Sequence, residues 1–140
     1  MRWHQARVFL PAISLASLLT ACGPPPYHQV EERYIFVAFN TSLPYWQEAE
    51  AGLNDAAKQM GVKAVLDGPA AFSVDEELKA FQQAVAQKPS GIMLSASNPD
   101  IFKDPINAAI GQGIPVICVD ADSPDSKRVL FVGTDNFRAG

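Results

Sequence analysis

The sequence predicts an α/β domain, a doubly wound parallel sheet in the flavodoxin-like three-layer arrangement. Two observations carry this. From residue 33 onward, short apolar runs alternate with amphipathic segments of helical period, the pattern of strands joined by helical crossovers on both faces of a sheet. The apolar runs are also continuous, as strands buried on both sides of a parallel sheet require.

The elements follow in order. Tyr34 to Phe39 is the first strand. Pro44 to Met60 is a helix, with Trp46, Ala49, Leu53, Ala56 or Ala57 and Met60 at three- and four-residue spacing. Pro44 suits its first turn, and Gly61 suits the left-handed position after its last. Val62 to Asp67 is the second strand, closed by Gly68-Pro69. Ser73-Val74-Asp75-Glu76 is a capping-box pattern opening a helix with Leu78, Phe81 and Val85 on one face. Gly91 to Ser95 is the third strand. Asn98-Pro99 caps a helix through Phe102, Ile106, Ala109 and Ile110, ended by Gly111 and Gly113. Ile114 to Val119 and Val129 to Val132 are the fourth and fifth strands, and another helix begins near Asn136. The order is βαβαβαββ.

Composition fits one globular domain: 140 residues, 48% hydrophobic and 19% charged. The net charge is −4, with no long run of one sign, so no nucleic-acid partner is expected.

Residues 1–21 stand apart. Met1 to Arg7 carries Arg2 and Arg7 and no acid, and Val8 to Leu19 is an apolar stretch too short for a stable membrane span. The segment ends in Leu19-Thr20-Ala21-Cys22, which resembles the lipobox of bacterial lipoproteins. That resemblance implies lipidation of Cys22 and cleavage before it. The eleven basic residues then lose Arg2 and Arg7, leaving nine against fifteen acids, about −6. Gly23 to Pro26 opens a proline-rich spacer over residues 22–32. With Cys22 acylated, Cys118 has no partner for a disulfide, and its apolar run makes it a small core hydrophobe.

Ligands of open α/β sheets bind outside the carboxyl ends of the strands, near the switch in strand order. Four loops fall there: Asn40 to Trp46, Asp67 to Ser73, Ala96 to Asn98 and Asp120 to Ser123. They carry aromatics, amides, hydroxyls and carboxylates. They contain neither a glycine-rich phosphate loop nor a Lys or Arg, which disfavours nucleotides and phosphosugars. Of the adjacent Tyr45 and Trp46, one is expected to face the core. Asp120 suits a charged acceptor for ligand hydroxyls, with Asp122 outside the cleft. With no nucleophile, metal cluster or second histidine beside them, these loops are expected to bind rather than catalyse, and no cofactor is expected.

At these loops a resemblance becomes explicit. Pro44-Tyr45-Trp46, the run from Gly52 to Gly61, Lys88 to Leu94, Gly113 to Ile117 leading to Asp120, and Val132 to Gly140 come in order and at spacing similar to the ribose/galactose/xylose group of type I periplasmic binding proteins. The effector domain of LacI-type repressors shares that fold. The resemblance covers residues 33–140 and implies the N-terminal lobe of a two-lobed protein. It implies ligand contacts from Asn40, Tyr45, Trp46, Ser97, Asn98 and Asp120, with Trp46 as the flat surface under a sugar ring and Tyr45 as the alternative. It makes Thr134, Asp135 and Asn136 the first hinge crossing, so the chain is expected to be a truncated product or a fragment. Two positions depart from the group: Ala121 stands where many pentose and hexose binders carry arginine, and Ala96 where some carry asparagine.

The expected role is a lipid-anchored binding protein of the cell envelope, in the periplasm or on the outer face of the cytoplasmic membrane. It would hold a small sugar or polyol for the permease of an ABC importer. The alternative is a ligand-sensing module for a membrane signalling receptor. A LacI-type regulator is disfavoured, because an export signal stands where a helix-turn-helix would be.

Overall fold

The computed structural model describes residues 27–140. The export segment, Cys22 and the Gly-Pro-Pro-Pro run lie outside the described residues. Five strands, β1 (Arg33–Val37), β2 (Lys63–Asp67), β3 (Gly91–Leu94), β4 (Val116–Val119) and β5 (Phe131–Val132), form one sheet in the order β2-β1-β3-β4-β5. Every neighbouring pair is parallel. Four helices complete the lobe: α1 (Pro44–Met60), α2 (Val74–Ala86), α3 (Pro99–Gly111) and the single turn α4 (Asn136–Ala139).

The pleat divides the core into two layers of side chains. Ile35, Val37, Ile92, Leu94, Val116 and Cys118 face one way and pack with Phe81 and Ala84 of α2 and Phe102, Ile106 and Ala109 of α3. Phe36, Met93 and Val119 face the other way, with Trp46, Ala49 and Leu53 of α1. The lobe is therefore the doubly wound, three-layer α/β sheet expected. Cys118 is a buried free thiol in the first layer, and burial raises its pKa, which suits packing rather than reactivity.

Several strands are shorter than the apolar runs. Ile114 does not enter β4 because its N–H bonds back to Ala109 C=O at 3.1 Å, closing the end of α3. Val129 and Leu130 bond to Val116 and Cys118 without joining a longer ladder, so β5 is a two-residue edge. At α2, Glu76 N–H donates to Ser73 Oγ at 3.3 Å, the serine half of the expected capping box. Asn98 caps α3 as expected, its Oδ1 accepting from Asp100 and Ile101 N–H, both at 3.2 Å.

The end of the spacer is fastened at the amino edge of the sheet. Glu32 accepts from Tyr34 Oη and from Gln29 N–H, and pairs with His28 Nδ1 at 2.8 Å. Beside it an apolar groove of about 340 Å³ runs between α1 and the bare face of β3 and β4, past Leu53, Met60, Met93, Pro115 and Ile117.

The β2–α2 turn is pressed against the end of β1. Ala38 N–H donates to Asp67 C=O at 2.9 Å, and Gly68 has φ 135°. A Cβ there would lie 2.0 Å from Ala38 O. Gly68→Ala is therefore expected to cost on the order of 2–3 kcal/mol, through strain and displaced backbone. Gly52, inside α1 with nothing within 4 Å, is the control. Gly52→Ala should gain about 0.5–1 kcal/mol. Urea denaturation of the pair checks both signs.

Candidate functional site

Because all strands are parallel, their carboxyl ends lie on one edge. The chain steps from β1 outward to β2, then crosses over β1 to β3, so the winding reverses between the ends of β1 and β3. Asn40, Ser97–Asn98 and Asp120 leave this edge from β1, β3 and β4, and Tyr45 and Trp46 sit on the first turn of α1.

Two of the expected residues meet. Tyr45 Oη donates to Asp120 Oδ1 at 2.8 Å, joining positions 75 residues apart in sequence. The bond to the carboxylate, then burial, raises the tyrosine pKa, so the phenol stays a donor at neutral pH. Asp120 lies in the left-handed region, φ 68°, and Ala121 N–H closes a tight turn across it to Val119 C=O at 2.8 Å. This turn ends β4 and leaves the Asp120 side chain exposed at the rim. Aspartate tolerates this conformation better than most residues, and such strain concentrates at functional sites.

Trp46 takes a different place from the one expected of it. It is 1% exposed and packs edge-on against Phe36 and Phe39, at 5.7 and 5.2 Å between centroids. It offers no flat face outward. The reason is helical phase: Trp46, Ala49, Leu53 and Ala57 form one stripe, and Trp46 is its first member. The outward ring is Tyr45, 57% exposed and edge-on to Trp46 at 4.9 Å. A further aromatic, Phe72, stands exposed on the β2–α2 loop against Phe39 at 5.8 Å. Its place in a short loop, Gly68 to Ser73, gave no periodic signal.

The amides and hydroxyls are largely committed. Asn98 Oδ1 caps α3, which leaves its NH₂ group for a ligand. Ser97 donates through both N–H and Oγ to Glu77 of α2, a residue that no sequence signal sets apart from its acidic neighbours. Glu77 is fully buried, and burial raises its pKa to about 7 against the lowering effect of Ser97. Three buried polar atoms on this edge have no partner among the described residues: Asn40 Oδ1, Trp46 Nε1 and Ser95 Oγ. Each costs about 1–3 kcal/mol unless a ligand or water takes it up.

The loop after β4 also carries a cation. Arg128 Nη2 donates to Asp122 Oδ2 at 2.7 Å, and its Nε donates to Oδ1 of the same carboxylate. The pairing holds the Asp122 carboxyl below its usual range, and Ser123 Oγ ties the loop to Pro99 C=O at 2.7 Å. Asp122 is thus a structural partner of Arg128. The expected hinge residues Thr134, Asp135 and Asn136 are exposed beyond β5, with Asp135 capping α4 through Arg138 N–H at 3.1 Å.

Trp46→Ala should accordingly be a stability variant, losing about 3–5 kcal/mol by removing a buried aromatic. Chemical denaturation and near-ultraviolet circular dichroism check this.

Known proteins share this lobe. The xylose/arabinose-binding protein XylF of Sulfolobus acidocaldarius is 26% identical over 102 residues, 70% of this chain and 25% of that protein. XylFII superposes with a TM-score of 0.75 at 35% identity, alone and in its complex with LytSN, covering 79% of this chain and 41% of that one. AraP, an arabinose-binding protein from Geobacillus stearothermophilus, gives 0.75 at 36% identity, covering 78% of this chain and 38% of its own. The chain thus spans about a quarter to two fifths of the length of these relatives. Residues 34–140 match the family model of the periplasmic binding protein domain from β1 to the last residue, and the chain belongs to that family.

Proposed function

We propose that this lobe supplies one wall of a binding cleft for a neutral sugar or polyol, in a protein lipid-anchored through Cys22 that serves an ABC importer. The observation that carries the reading is the Tyr45–Asp120 contact on the carboxyl edge. A sugar ring presents a C–H face and a rim of hydroxyls, so it needs a flat aromatic beside a directional acceptor. Tyr45 is the exposed ring, and the Asp120 carboxylate has about four acceptor positions, of which Tyr45 occupies one. Ligand hydroxyls can take others without displacing the phenol. Arg128, already neutralised by Asp122, offers no free charge for a phosphate. The sugar-binding relatives support the same ligand class.

The fastening of the spacer at the amino edge supports the anchored arrangement, since the candidate site then points away from the tether. Binding, not catalysis, is the activity proposed. A second reading, a sensing module for a membrane receptor, draws support from the complex of XylFII with LytSN. Uptake assays separate the two: removing the protein abolishes sugar uptake in the first reading, and only a sugar-dependent response in the second.

Calorimetry of the full-length protein against D-xylose, L-arabinose and D-glucose tests the ligand class. Asp120→Ala should weaken the best of these by on the order of 2–3 kcal/mol, about 30- to 150-fold. Near-wild-type affinity in that variant would remove Asp120 from the site. Cys22→Ser should move the protein from the membrane to the soluble fraction, because stable anchoring needs more than one acyl chain. Persistence with membranes would end the anchoring proposal.

A further inference from the structure

The loop between β3 and α3 hangs on one buried acid. Glu77, in the first turns of α2, is fully buried. Both of its oxygens are engaged by a single residue: Oε1 accepts from Ser97 N–H at 3.4 Å, and Oε2 accepts from Ser97 Oγ. Ser97 is followed directly by Asn98, which begins α3 and is itself a candidate ligand contact. A helix on one side of the loop therefore fixes both backbone and side chain of a residue at the switch in strand order.

We infer that Glu77 is a positioning residue of the binding site, and that the proton it carries decides whether the Ser97 hydroxyl meets the ligand as an acceptor or as a donor. The inference rests on the binding role proposed above. When Glu77 is ionised it can only accept, so the Ser97 O–H points at it and the free lone pairs of Oγ face outward. When Glu77 is protonated, its own O–H can donate to Ser97 Oγ, and the serine proton is released toward a ligand oxygen. The two states recognise opposite partners with the same atoms in place.

The surroundings leave this proton free to move near neutrality. Burial pushes the Glu77 carboxyl up to about 7, while the two bonds from Ser97 pull it down. No charged side chain is among the causes. The ionisable groups of neighbouring segments are Asp75, Glu76 and Lys79 on its own helix, Asp100, Lys103 and Asp104 on α3, the Cys118 thiol on β4, and Asp122, which Arg128 neutralises. Raised above the ordinary value of 4.5, the folded-state pKa gives Glu77 a contribution to stability that is fully present below pH 4.5. That contribution is lost as pH rises through about 7.

The test compares the full-length protein with Glu77→Gln and Ser97→Ala between pH 5.5 and 8.5. The substituted amide is neutral at every pH and can accept from Ser97 N–H while donating to Oγ, so it mimics the protonated state. In ligand-free protein, the Ser97 amide resonance should titrate with a midpoint near 7 in wild type and stay fixed in Glu77→Gln. Affinities for D-xylose, L-arabinose and D-glucose should change about three- to tenfold across that midpoint in wild type. They should be flat in Glu77→Gln, at the acid-side value. Ser97→Ala guards against a misfolded Glu77→Gln variant: it should retain the pH-dependent stability from Glu77 but lose the pH-dependent affinity. A Ser97 resonance that ignores pH, or an affinity profile identical in wild type and both variants, would overturn the inference. A titrating Ser97 in a protein that binds none of the sugars would support the Glu77–Ser97 coupling and defeat the sugar reading instead.

Discussion

The constraint on which the rest depends is that β1 is hydrogen-bonded in parallel on both sides, to β2 and to β3. A chain that winds outward to β2 and returns across β1 to β3 must open its loops in opposite directions from one point. That point is where Asn40, Ser95 and the Ser97–Asn98 loop emerge. Place β2 on the other side of β3, and the same residues would be scattered along the edge. The candidate site is thus a consequence of strand order before it is a consequence of side chains. Gly68 protects that order locally, because only a residue without Cβ lets the β2 turn lie against Ala38.

Much of the fold was legible because its signals are local and redundant. Each helix announces its start by proline or a capping side chain and its inner face by a three- and four-residue stripe, and each central strand is an unbroken apolar run. The errors sit at strand ends, where backbone bonds decide and composition does not. Ile114 is as apolar as any residue of β4, yet its N–H is claimed by Ala109. Val129 and Leu130 look like strand and lie on an edge too short to hold them.

The geometry of the candidate site was legible in part. Tyr45 and Asp120 could be nominated from loop position alone, although no sequence feature fixes a bond between residues so far apart. Trp46 shows two signals in conflict. Its place at the head of the α1 stripe marked it as core, whereas the resemblance marked it as the ring under a ligand, and helical phase prevails in this lobe. Glu77 was invisible for a related reason. In a first turn rich in acids, Asp75, Glu76 and Glu77 look alike as partners of the helix dipole. Only the packing of α2 on β3 distinguishes the one turned inward, and no pattern within the helix reports on a serine twenty residues on.

The polar accounting of the carboxyl edge favours the hydroxyl-rich ligand proposed above over a charged one. Two of its carboxyls are already engaged: Asp122 by Arg128, Glu77 by Ser97. What remains is one exposed carboxylate with spare lone pairs, an amide NH₂ on Asn98, and buried Asn40 Oδ1, Trp46 Nε1 and Ser95 Oγ without partners among the described residues. That set mixes donors with acceptors, none of them a free cation. An anion would find little to neutralise it and would face Asp120 besides, while a cation would leave the buried donor of Trp46 unanswered. A ring of hydroxyls, each both donor and acceptor, can satisfy both kinds of group at once. Pairing buried polar groups that would otherwise stand alone is where discrimination by a closed site is strongest, because the wrong ligand leaves them unpaired.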